Sequence, residues 1–302
     1  MYPLVYIVVL NYNGAIWLKN CLESLGATGY HNFRILLVDN ASSDDSVRLI
    51  GEMFPDLASI INPINYGFSA GNNLGIGQAL GNGADYVVLL NPDTRVEPDW
   101  LTHLIEIGES EPGIGILGSA QLTYEDYEFN GWTKIALRDH LEELKRPEQA
   151  RRWIPVDWVE GACFAVKRAV FEKIGLLDPI YFAFYEEIDF CRRAACQGYQ
   201  TALVPLSLIH HHRGGSWRAN PEIERKRDYH CDRSQFIFNL TDPRRSVLGN
   251  LYWYLITLAT KGKESIYDLS PSRAWDLLRM QLEIVTDLGA LHHKWRRDRL
   301  NS

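Results

Sequence analysis

The chain has 302 residues, of which 46% are hydrophobic and 23% charged, proportions that exclude a disordered chain, a collagen and a disulfide-rich scaffold. The formal net charge of −7 argues against a protein that coats nucleic acid. The charge is divided unevenly, because residues 213–302 carry 16 basic and 11 acidic side chains, whereas the rest of the chain is acidic.

The first hundred residues alternate between short apolar runs and segments with helical periodicity. The apolar runs lie at residues 4–10, 34–38, 57–61 and 86–90, and the helical segments at 16–25, 44–53 and 69–80. Apolar runs separated by helices, and without internal alternation, predict a parallel sheet that is buried on both faces. Polar clusters follow the strands. Ligands of open α/β sheets bind at this carboxyl edge, so we expect a crevice there.

The pattern changes after residue 100. It predicts helices at residues 99–110, 168–174 and 184–197, and short strands at 114–117, 154–160, 201–204 and 206–211. Residues 124–152 are polar and irregular, with a charged helical stretch near 139–151. From about residue 220 onwards only helices are predicted, at 221–239, 244–260 and 272–297. The sequence therefore predicts an α/β region followed by a helical extension.

Polar residues follow the first two predicted strands. Asn11 and Asn13 come directly after the first strand, and Asp39 follows the second. A carboxylate at Asp39 can accept the imide N–H of a uracil or thymine ring, although an aspartate here is also typical of a turn that starts a helix. Asn11 and Asn13 are equally typical turn residues. The residues alone leave nucleoside binding and local structure as alternatives.

The third helical segment opens with a repeated glycine. Gly67, Gly71 and Gly75 lie four residues apart, so they share one helix face. This pattern indicates either close packing of the helix on the sheet or a helix N-terminus presented to a ligand. The chain contains neither a G-x-G-x-x-G nor a G-x-x-x-x-G-K-[ST] sequence, which argues against hydride transfer to a dinucleotide and against P-loop phosphoryl transfer.

Asp93, in the sequence Asn91-Pro92-Asp93, follows the fourth predicted strand. A carboxylate there can bind a hard divalent cation that bridges diphosphate oxygens, but one carboxylate is a weak metal site. The candidate for a further ligand is the run of three histidines at residues 210–212, which is also typical of a loop. Because side chains alternate along a strand, one or two of these histidines at most can be ligands.

Two adjacent glutamates, Glu186 and Glu187, lie near the start of a predicted helix and follow the aromatic stretch at residues 181–185. An apolar wall raises the pKa of a carboxylate towards the range of a general base. Carboxylates in a first helical turn also stabilise the helix dipole, so a base and a purely structural role remain alternatives.

These signals occur together and in a fixed order, and as a set they resemble family 2 glycosyltransferases of the GT-A fold. The resemblance covers about residues 3–217, and within the family the chain is most similar to bacterial rhamnosyltransferase-type enzymes. We therefore expect a catalytic domain at residues 1–217 and a helical extension at 218–302. The blocks that carry the resemblance are residues 8–14, 38–44, 65–75, 90–93, 160–163, 174–178 and 186–191, together with His211 and Ser216.

The resemblance implies transfer of a sugar, with inversion, from a UDP- or dTDP-sugar, for example dTDP-rhamnose, to a glycan or polyprenyl-linked acceptor. It places Asn11, Asn13 and Asp39 at the nucleoside and Asn72 and Asn73 near the ribose and diphosphate. It makes Asp93 and His211 ligands of Mg²⁺ or Mn²⁺, with Asp93 also at the donor, and it makes Glu187 the catalytic base. These roles are expectations carried over from the family motifs.

The sequence departs from the family pattern at two of these positions. Asn91 stands where the metal-binding element normally begins with an aspartate, which lowers the negative charge there. Glu187 stands where the base is usually an aspartate and is one methylene longer. The alternatives are a nucleotide-sugar-binding or scaffold protein without catalysis and, with less support, a Rossmann-type oxidoreductase.

The C-terminal helices combine aromatic and basic residues. Residues 251–256 are rich in aromatic side chains, and residues 291–299 are basic around a tryptophan. Such helices can pack on the catalytic domain, form a homodimer or lie on a membrane surface. The longest apolar stretch, 247–260, is too short to span a bilayer, no signal peptide is evident, and the five cysteines form no C-x-x-C pair. We expect a cytoplasmic protein, with contact to the inner face of the membrane as an option.

Overall fold

The computed structural model describes residues 2–140, 151–212, 221–267 and 271–300, which form nine strands and eleven helices. The strands are β1 (Val5–Asn11), β2 (Phe33–Asp39), β3 (Ala58–Ile61), β4 (Tyr86–Leu90), β5 (Thr94–Val96), β6 (Ile114–Thr123), β7 (Ile154–Val156), β8 (Cys163–Lys167) and β9 (Gln200–His211). The helices are α1 (Ala15–Gly26), α2 (Ser46–Met53), α3 (Gly67–Gly81), α4 (Trp100–Ser110), α5 (Gly131–Leu137), α6 (Arg168–Ile174), α7 (Glu186–Cys196), α8 (Pro221–Leu240), α9 (Val247–Tyr267), α10 (Pro271–Thr286) and α11 (Leu288–Leu300).

One mixed sheet holds all nine strands, in the order β3-β2-β1-β4-β8-β6-β9-β5, with β7 paired to β9. Strands β1 to β4 are mutually parallel where they pair, and β6 and β9 run the same way beyond the antiparallel strand β8. Strands β5 and β7 are antiparallel to β9. The predicted sheet, mostly parallel with helices between its strands, is therefore confirmed.

Helices cover both faces of this sheet, as the continuous apolar runs require. In β1, Val5, Ile7 and Val9 pack into one core with α1 and α4, whereas Val8 points to the opposite core with α3, α6 and α7. This alternation is the two-residue period of a strand, applied to side chains that are apolar on both faces. The two cores hold the carboxyl ends of β1, β2 and β4 side by side.

Strand β9 is longer than the sequence predicts. The pattern breaks at Pro205, but the structure continues the strand to His211 and shifts the register against β6 between Ser119 and Ala120. A proline cannot donate a ladder hydrogen bond, so it occurs where the pairing is irregular. The continuation carries His210 and His211 alongside β5, where they pair with Arg95 and Thr94.

The C-terminal helices pack on the α/β part of the chain. A core of Tyr181, Phe236, Ile237, Ile284 and Leu291 joins the segment before α7 to α8, α10 and α11. One of the predicted arrangements of these helices, packing on the preceding α/β part of the chain, is therefore observed. The expected domain boundary at residue 217 and the motif residue Ser216 lie outside the described residues, so the boundary stays a prediction.

In the part of the chain that the structure describes, no helix combines the length and the apolar composition of a membrane-spanning segment. All five cysteines are free thiols, and Cys21, Cys163 and Cys191 are buried.

Candidate functional site

The carboxyl ends of β1 and β2 meet at Asn11 and Asp39, which are paired in the strand register and fully buried. Asp39 Oδ2 accepts hydrogen bonds from Asn11 Nδ2 at 2.8 Å and from Ser42 Oγ at 2.7 Å, and Asp39 Oδ1 accepts from the Ser42 N–H at 2.8 Å. These donors take three of about four acceptor positions of the carboxylate. Asn11 Oδ1 is buried and has no hydrogen-bond partner among the described residues.

Asn13 has a structural role that the sequence left open. Its backbone adopts a left-handed conformation with φ of 52°, and its Oδ1 accepts hydrogen bonds from the N–H groups of Ser43 and Asp44 at 2.7 and 3.3 Å. The side chain therefore ties the end of β1 to the loop before α2. Its predicted contact with the nucleoside stays a prediction.

Helix α3 packs against the sheet through its glycines. A Cβ on Gly75 would lie 2.4 Å from Val8 Cγ1, and one on Gly71 would lie 2.8 Å from Leu10 Cδ1. Gly67, with φ of +80°, lies against Phe182, whose carbonyl accepts from the Phe68 N–H at 2.6 Å. Of the two alternatives, close packing is the one observed, and a protein carbonyl already accepts from the first turn.

Asn72 and Asn73, predicted near the ribose and diphosphate, make internal hydrogen bonds. Asn72 Nδ2 donates to the Phe68 carbonyl at 3.0 Å within α3. Asn73 Nδ2 donates to the Leu177 carbonyl at 2.8 Å, and Asn73 Oδ1 accepts from the Leu177 N–H at 3.1 Å. Asn73 therefore ties α3 to the segment after α6, and a ligand role for either side chain stays a prediction.

Asp93 and His211 come together because β5 pairs with β9. Thr94 lies opposite His211 in that pairing, and the His212 N–H donates to the Asp93 carbonyl at 3.0 Å. His211 Nε2 lies 3.3 Å from Asp93 Oδ1, with both side chains 10% exposed. The sequence predicted these two residues from separate motifs 118 positions apart, and the sheet places them side by side.

The other two histidines of the run point elsewhere. His210, on the opposite side of β9, is fully buried, and its Nε2 lies 2.6 Å from Glu97 Oε1. His212 lies against the Trp17 ring, with 4.1 Å between ring centroids. Of the three, only His211 faces Asp93, and its role as a metal ligand stays a prediction.

The atoms that Asp93 and His211 present suit a divalent cation. His211 Nε2 is buried and has no hydrogen-bond partner in the described part of the chain. Two ligands of one octahedral ion, each at about 2.1 Å, lie about 3 Å apart, close to the observed 3.3 Å between Nε2 and Oδ1. The described residues contain no group of three or more His, Cys, Asp or Glu side chains that could hold a metal ion.

Glu186 and Glu187 form a buried carboxyl pair at the start of α7. Burial and, to a smaller extent, the nearby Glu160 raise the pKa of Glu187 from 4.5 to about 7, although hydrogen bonds, including one with Glu186, oppose the rise. Burial and the charge of Glu187 raise the pKa of Glu186 well above its ordinary value. The pair therefore shares protons near neutral pH, with Glu186 as the group that retains its proton longer.

The aromatic stretch before α7 differs in part from the expected apolar wall. Phe182 stacks on His230 of α8 at 4.5 Å between ring centroids, and Tyr185 packs on Phe238. Much of this stretch therefore faces the C-terminal helices. Phe184 and Tyr185 have φ of 68° and 69°, and such strained residues concentrate at functional sites.

The segment before β8 contacts both the residues next to Asp93 and the Glu187 side chain. The Asn91 N–H donates to the Ala162 carbonyl at 3.1 Å, and a Cβ on Gly161 would lie 4.0 Å from Glu187 Cδ. Glu160 accepts a hydrogen bond from Asn130 Nδ2 at 2.7 Å. Gln121 of β6 and Asn130 before α5 were not predicted from the sequence, because an isolated amide side chain carries no motif.

The comparisons with known proteins identify a family. Residues 6–175 match the family model described as Glycosyl transferase family 2. The N-acetylglucosaminyl-diphospho-decaprenol L-rhamnosyltransferase of Mycobacterium tuberculosis is 24% identical over 248 residues, which cover 71% of this chain and 78% of that protein. The uncharacterized protein y4gI of Sinorhizobium fredii is 29% identical over 246 residues, which cover 74% of this chain but only 26% of that protein.

A solved structure shows the same fold. The mannosyltransferase PcManGT from Pyrobaculum calidifontis, in complex with GDP-Man and Mn²⁺, matches with a TM-score of 0.54. The match covers 99% of this chain and 87% of that chain, at 16% sequence identity. The expected GT-A architecture, with a mixed, mostly parallel sheet flanked by helices, is confirmed.

Proposed function

Because the chain belongs to glycosyl transferase family 2 and is a glycosyltransferase, we propose that it transfers a sugar from a UDP- or dTDP-sugar to a lipid-linked or glycan hydroxyl, with inversion. The observation that carries the proposal is the Asp93–His211 pair, two cation-binding groups 3.3 Å apart at the carboxyl edge of the sheet. A rhamnosyl donor is the specific choice, supported by the name of the mycobacterial relative.

The nucleoside would lie at the end of β1 and β2. Asp39 and Asn11 supply the acceptors, because Asn11 Oδ1 is unpartnered among the described residues and the Asp39 carboxylate retains acceptor capacity. An imide N–H is a donor, so a uracil or thymine ring matches these two groups. Asn13 supports them by fixing the loop that carries Ser42 and Ser43.

Asp93 and His211 would hold the cation, and their mixed oxygen and nitrogen donors favour Mn²⁺ over Mg²⁺, which prefers oxygen alone. When bound, the cation supplies positive charge that stabilises the departing nucleoside diphosphate. Asn91 contributes no charge to this edge, so Asp93 and His211 provide the protein's principal ligands in the proposal. The role predicted for Asn72 would then require its side-chain carbonyl or its backbone, since its amide nitrogen is engaged. The role predicted for Asn73 would require its backbone, since both polar atoms of its side chain pair with Leu177.

Glu187 would act on the acceptor. Its raised pKa makes it a carboxylate that can take a proton from a hydroxyl near neutral pH. The acceptor oxygen then attacks the anomeric carbon from the face opposite the diphosphate, which inverts that centre in one displacement. No enzyme nucleophile is needed, in keeping with buried thiols whose pKa is raised by burial at Cys21 and Cys163.

Nucleotide binding with and without metal tests the proposed donor site. Calorimetry with UDP, dTDP and GDP should show Mn²⁺-dependent binding of the two pyrimidine nucleotides, and Asp93→Asn should lower that affinity at least tenfold. Asp56→Asn is a matched control, because Asp56 is an exposed aspartate just before the outer strand β3. Equal affinity with and without Mn²⁺ would contradict the metal site, and selective binding of GDP would contradict the pyrimidine assignment.

The outer face of the C-terminal helices is apolar and exposed. Leu248 on α9 is 78% exposed and Trp275 on α10 is 63% exposed, and further apolar residues follow them at helical spacing. We propose that this face meets the lipid surface that carries a polyprenyl-linked acceptor, and homodimerisation is the competing proposal. Co-sedimentation of Leu248→Ser with anionic vesicles should fall below that of the wild type; a dimer that dissociates in this variant instead would favour the second proposal.

A further inference from the structure

His211 can bind a cation only through a ring nitrogen that carries no proton, so the position of its proton matters. The structure holds a chain of hydrogen bonds that bears on this position. His211 Nδ1 lies 3.1 Å from Gln121 Oε1, and the same oxygen accepts from Asn130 Nδ2 at 3.1 Å. Gln121 and Asn130 are buried, with 1% and 3% of their surface exposed.

The direction of every bond in this chain follows from one backbone N–H. Asn130 is the N-cap of α5, and its side chain accepts from the Thr133 N–H at 2.7 Å, so the accepting atom is the oxygen. The other atom of that amide is then the NH₂ group, a donor, and it faces both Gln121 and the Glu160 carboxylate. Gln121 must therefore present its oxygen to Asn130, and through it to His211.

An oxygen at Gln121 requires a proton on His211 Nδ1, because two acceptors cannot form a hydrogen bond. In the neutral imidazole this leaves the lone pair on Nε2, the nitrogen that faces Asp93. The Asp93 carboxylate attracts a proton to Nε2 when no cation is present. The chain from α5 therefore opposes Asp93 and favours the tautomer that can bind a metal.

We propose that Gln121 and Asn130 are positioning residues that set the tautomer of His211 and so prepare it to bind the donor-site cation. The proposal rests on the proposed function only in its use of that cation. Gln121 is itself held in place, since its N–H donates to Thr133 Oγ1 at 3.1 Å and its carbonyl accepts from the Asn130 N–H at 2.8 Å. Asn130, the N-cap of α5, thereby acts through Gln121 on His211 at the proposed cation site.

Gln121→Glu and Gln121→Leu separate this role from packing. Glutamate keeps an acceptor for His211 and Asn130, whereas leucine has similar size and no acceptor. The Mn²⁺-dependent affinity for UDP, measured by calorimetry, should fall between about tenfold and a hundredfold in Gln121→Leu, the usual range for groups that orient a ligand. It should remain within about threefold in Gln121→Glu. Equal losses in both variants would assign Gln121 a packing role and overturn the proposal.

Asn130→Asp tests which groups donate and which accept along this chain of hydrogen bonds. Aspartate is as good an N-cap as asparagine, so α5 keeps its start, but its second oxygen makes Gln121 turn its NH₂ group towards the new carboxylate and His211. Adding Glu160→Gln removes the repulsion between two carboxylates. Nitrogen-15 NMR on the metal-free protein in the Asp93→Ala background, at a pH where the spectrum shows neutral imidazole, should show the His211 proton on Nδ1 and its transfer to Nε2 in Asn130→Asp/Glu160→Gln.

The outcomes distinguish this proposal from the proposed function. If UDP binding by the wild type does not depend on Mn²⁺, the metal site fails, while the NMR result still decides whether Gln121 sets the tautomer. If wild-type binding depends on Mn²⁺ but Gln121→Leu binds equally well, the positioning role fails alone. A proton that stays on Nδ1 in the Asn130 variant would also overturn it. His211→Asn assigns the signal among the nine histidines.

Discussion

Glu187 is the residue whose protonation should control the rate. Glu187→Gln removes the proton acceptor and should lower kcat between about a hundredfold and ten-thousandfold, with UDP affinity nearly unchanged. Glu186→Gln is the matched control, because it keeps a hydrogen-bond donor beside Glu187 and should retain most of the activity. With burial raising the pKa of Glu187 to about 7, the rate of the wild type should rise with pH through that value. Equal loss in both variants would contradict the assignment of the base.

Glu187 should also affect stability. Its carboxyl group should increase the rate but lower the free energy of unfolding as pH rises. Because the pKa of Glu187 is about 7 in the folded chain and 4.5 as a reference, the folded state retains a proton that the unfolded state loses between these values. The free energy of unfolding therefore falls as pH rises from 4.5 to about 7. At pH values above this range, Glu187→Gln should be more stable than the wild type by up to about 3 kcal/mol in urea unfolding. An inactive variant that gains stability is not a misfolded one.

For single residues, the sequence indicated which side chains could carry chemistry better than it indicated which partners they contact. Asp93 and His211 were predicted from motifs and do lie together, but the choice among three histidines depends on the register between β5 and β9. Asn73 shows the reverse case, since its amide binds the Leu177 backbone in a way that no motif indicates. Side-chain partners that are distant in sequence depend on the completed sheet, so local patterns do not determine them.

In helix α3, alanine substitutions at two glycines should change the free energy of unfolding in opposite directions. Gly75→Ala places a Cβ 2.4 Å from Val8 Cγ1, so it should lower the free energy of unfolding by about 1–3 kcal/mol. Gly77 is exposed, and a Cβ added there would have no atom within 4 Å, so Gly77→Ala should raise it by about 0.5–1 kcal/mol. Two variants with the same sign in urea unfolding would contradict the packing described for α3.

Elements were predicted well where the pattern was repetitive. The residues of β4 and α6 match the expected ranges, and the other early strands and helices differ by one or two residues at their ends. Strand β8 was missed, because its five residues form a short run that directly precedes α6. Because β8 lies between β4 and β6, it brings Glu160 and Gly161 beside Asn91. Without this strand, the sequence did not indicate how the Asp93–His211 pair and Glu187 are connected.

At the scale of the whole molecule, an ion cluster fixes the last helix to the helix of the proposed base. Lys294 of α11 is buried, and its Nζ lies 2.9 Å from Asp189, 3.2 Å from Asp178 and 2.8 Å from Asp298. Although burial opposes it, Lys294 and the neighbouring arginines hold the pKa of Asp189 well below its usual value. Asp189 lies two residues after Glu187, so the basic extension identified from composition supports the acidic part of the chain by direct charge pairing.

Lys294→Met should therefore destabilise the whole protein. The substitution keeps a long side chain but leaves three carboxylates without their shared cation, and the expected loss is about 3 kcal/mol, because the arginines remain. Arg296→Met is the matched control, since it removes one positive charge from an exposed position of the same helix and should change stability by less than about 0.5 kcal/mol.

The pH at which acid unfolding begins should also depend on Lys294. The lowered pKa values of Asp178 and Asp189 contribute stability that is present above their ordinary value of 3.8 and is lost as pH falls through the lowered values. Lys294→Met raises those pKa values, so its acid unfolding should begin at a higher pH than that of the wild type and of Arg296→Met. Unfolding followed by circular dichroism against pH measures this shift. If all three proteins unfolded at the same pH, Lys294 would not couple the C-terminal helices to α7, and the exposed apolar face of α9 and α10 would have to be treated as independent of Glu187, the proposed base.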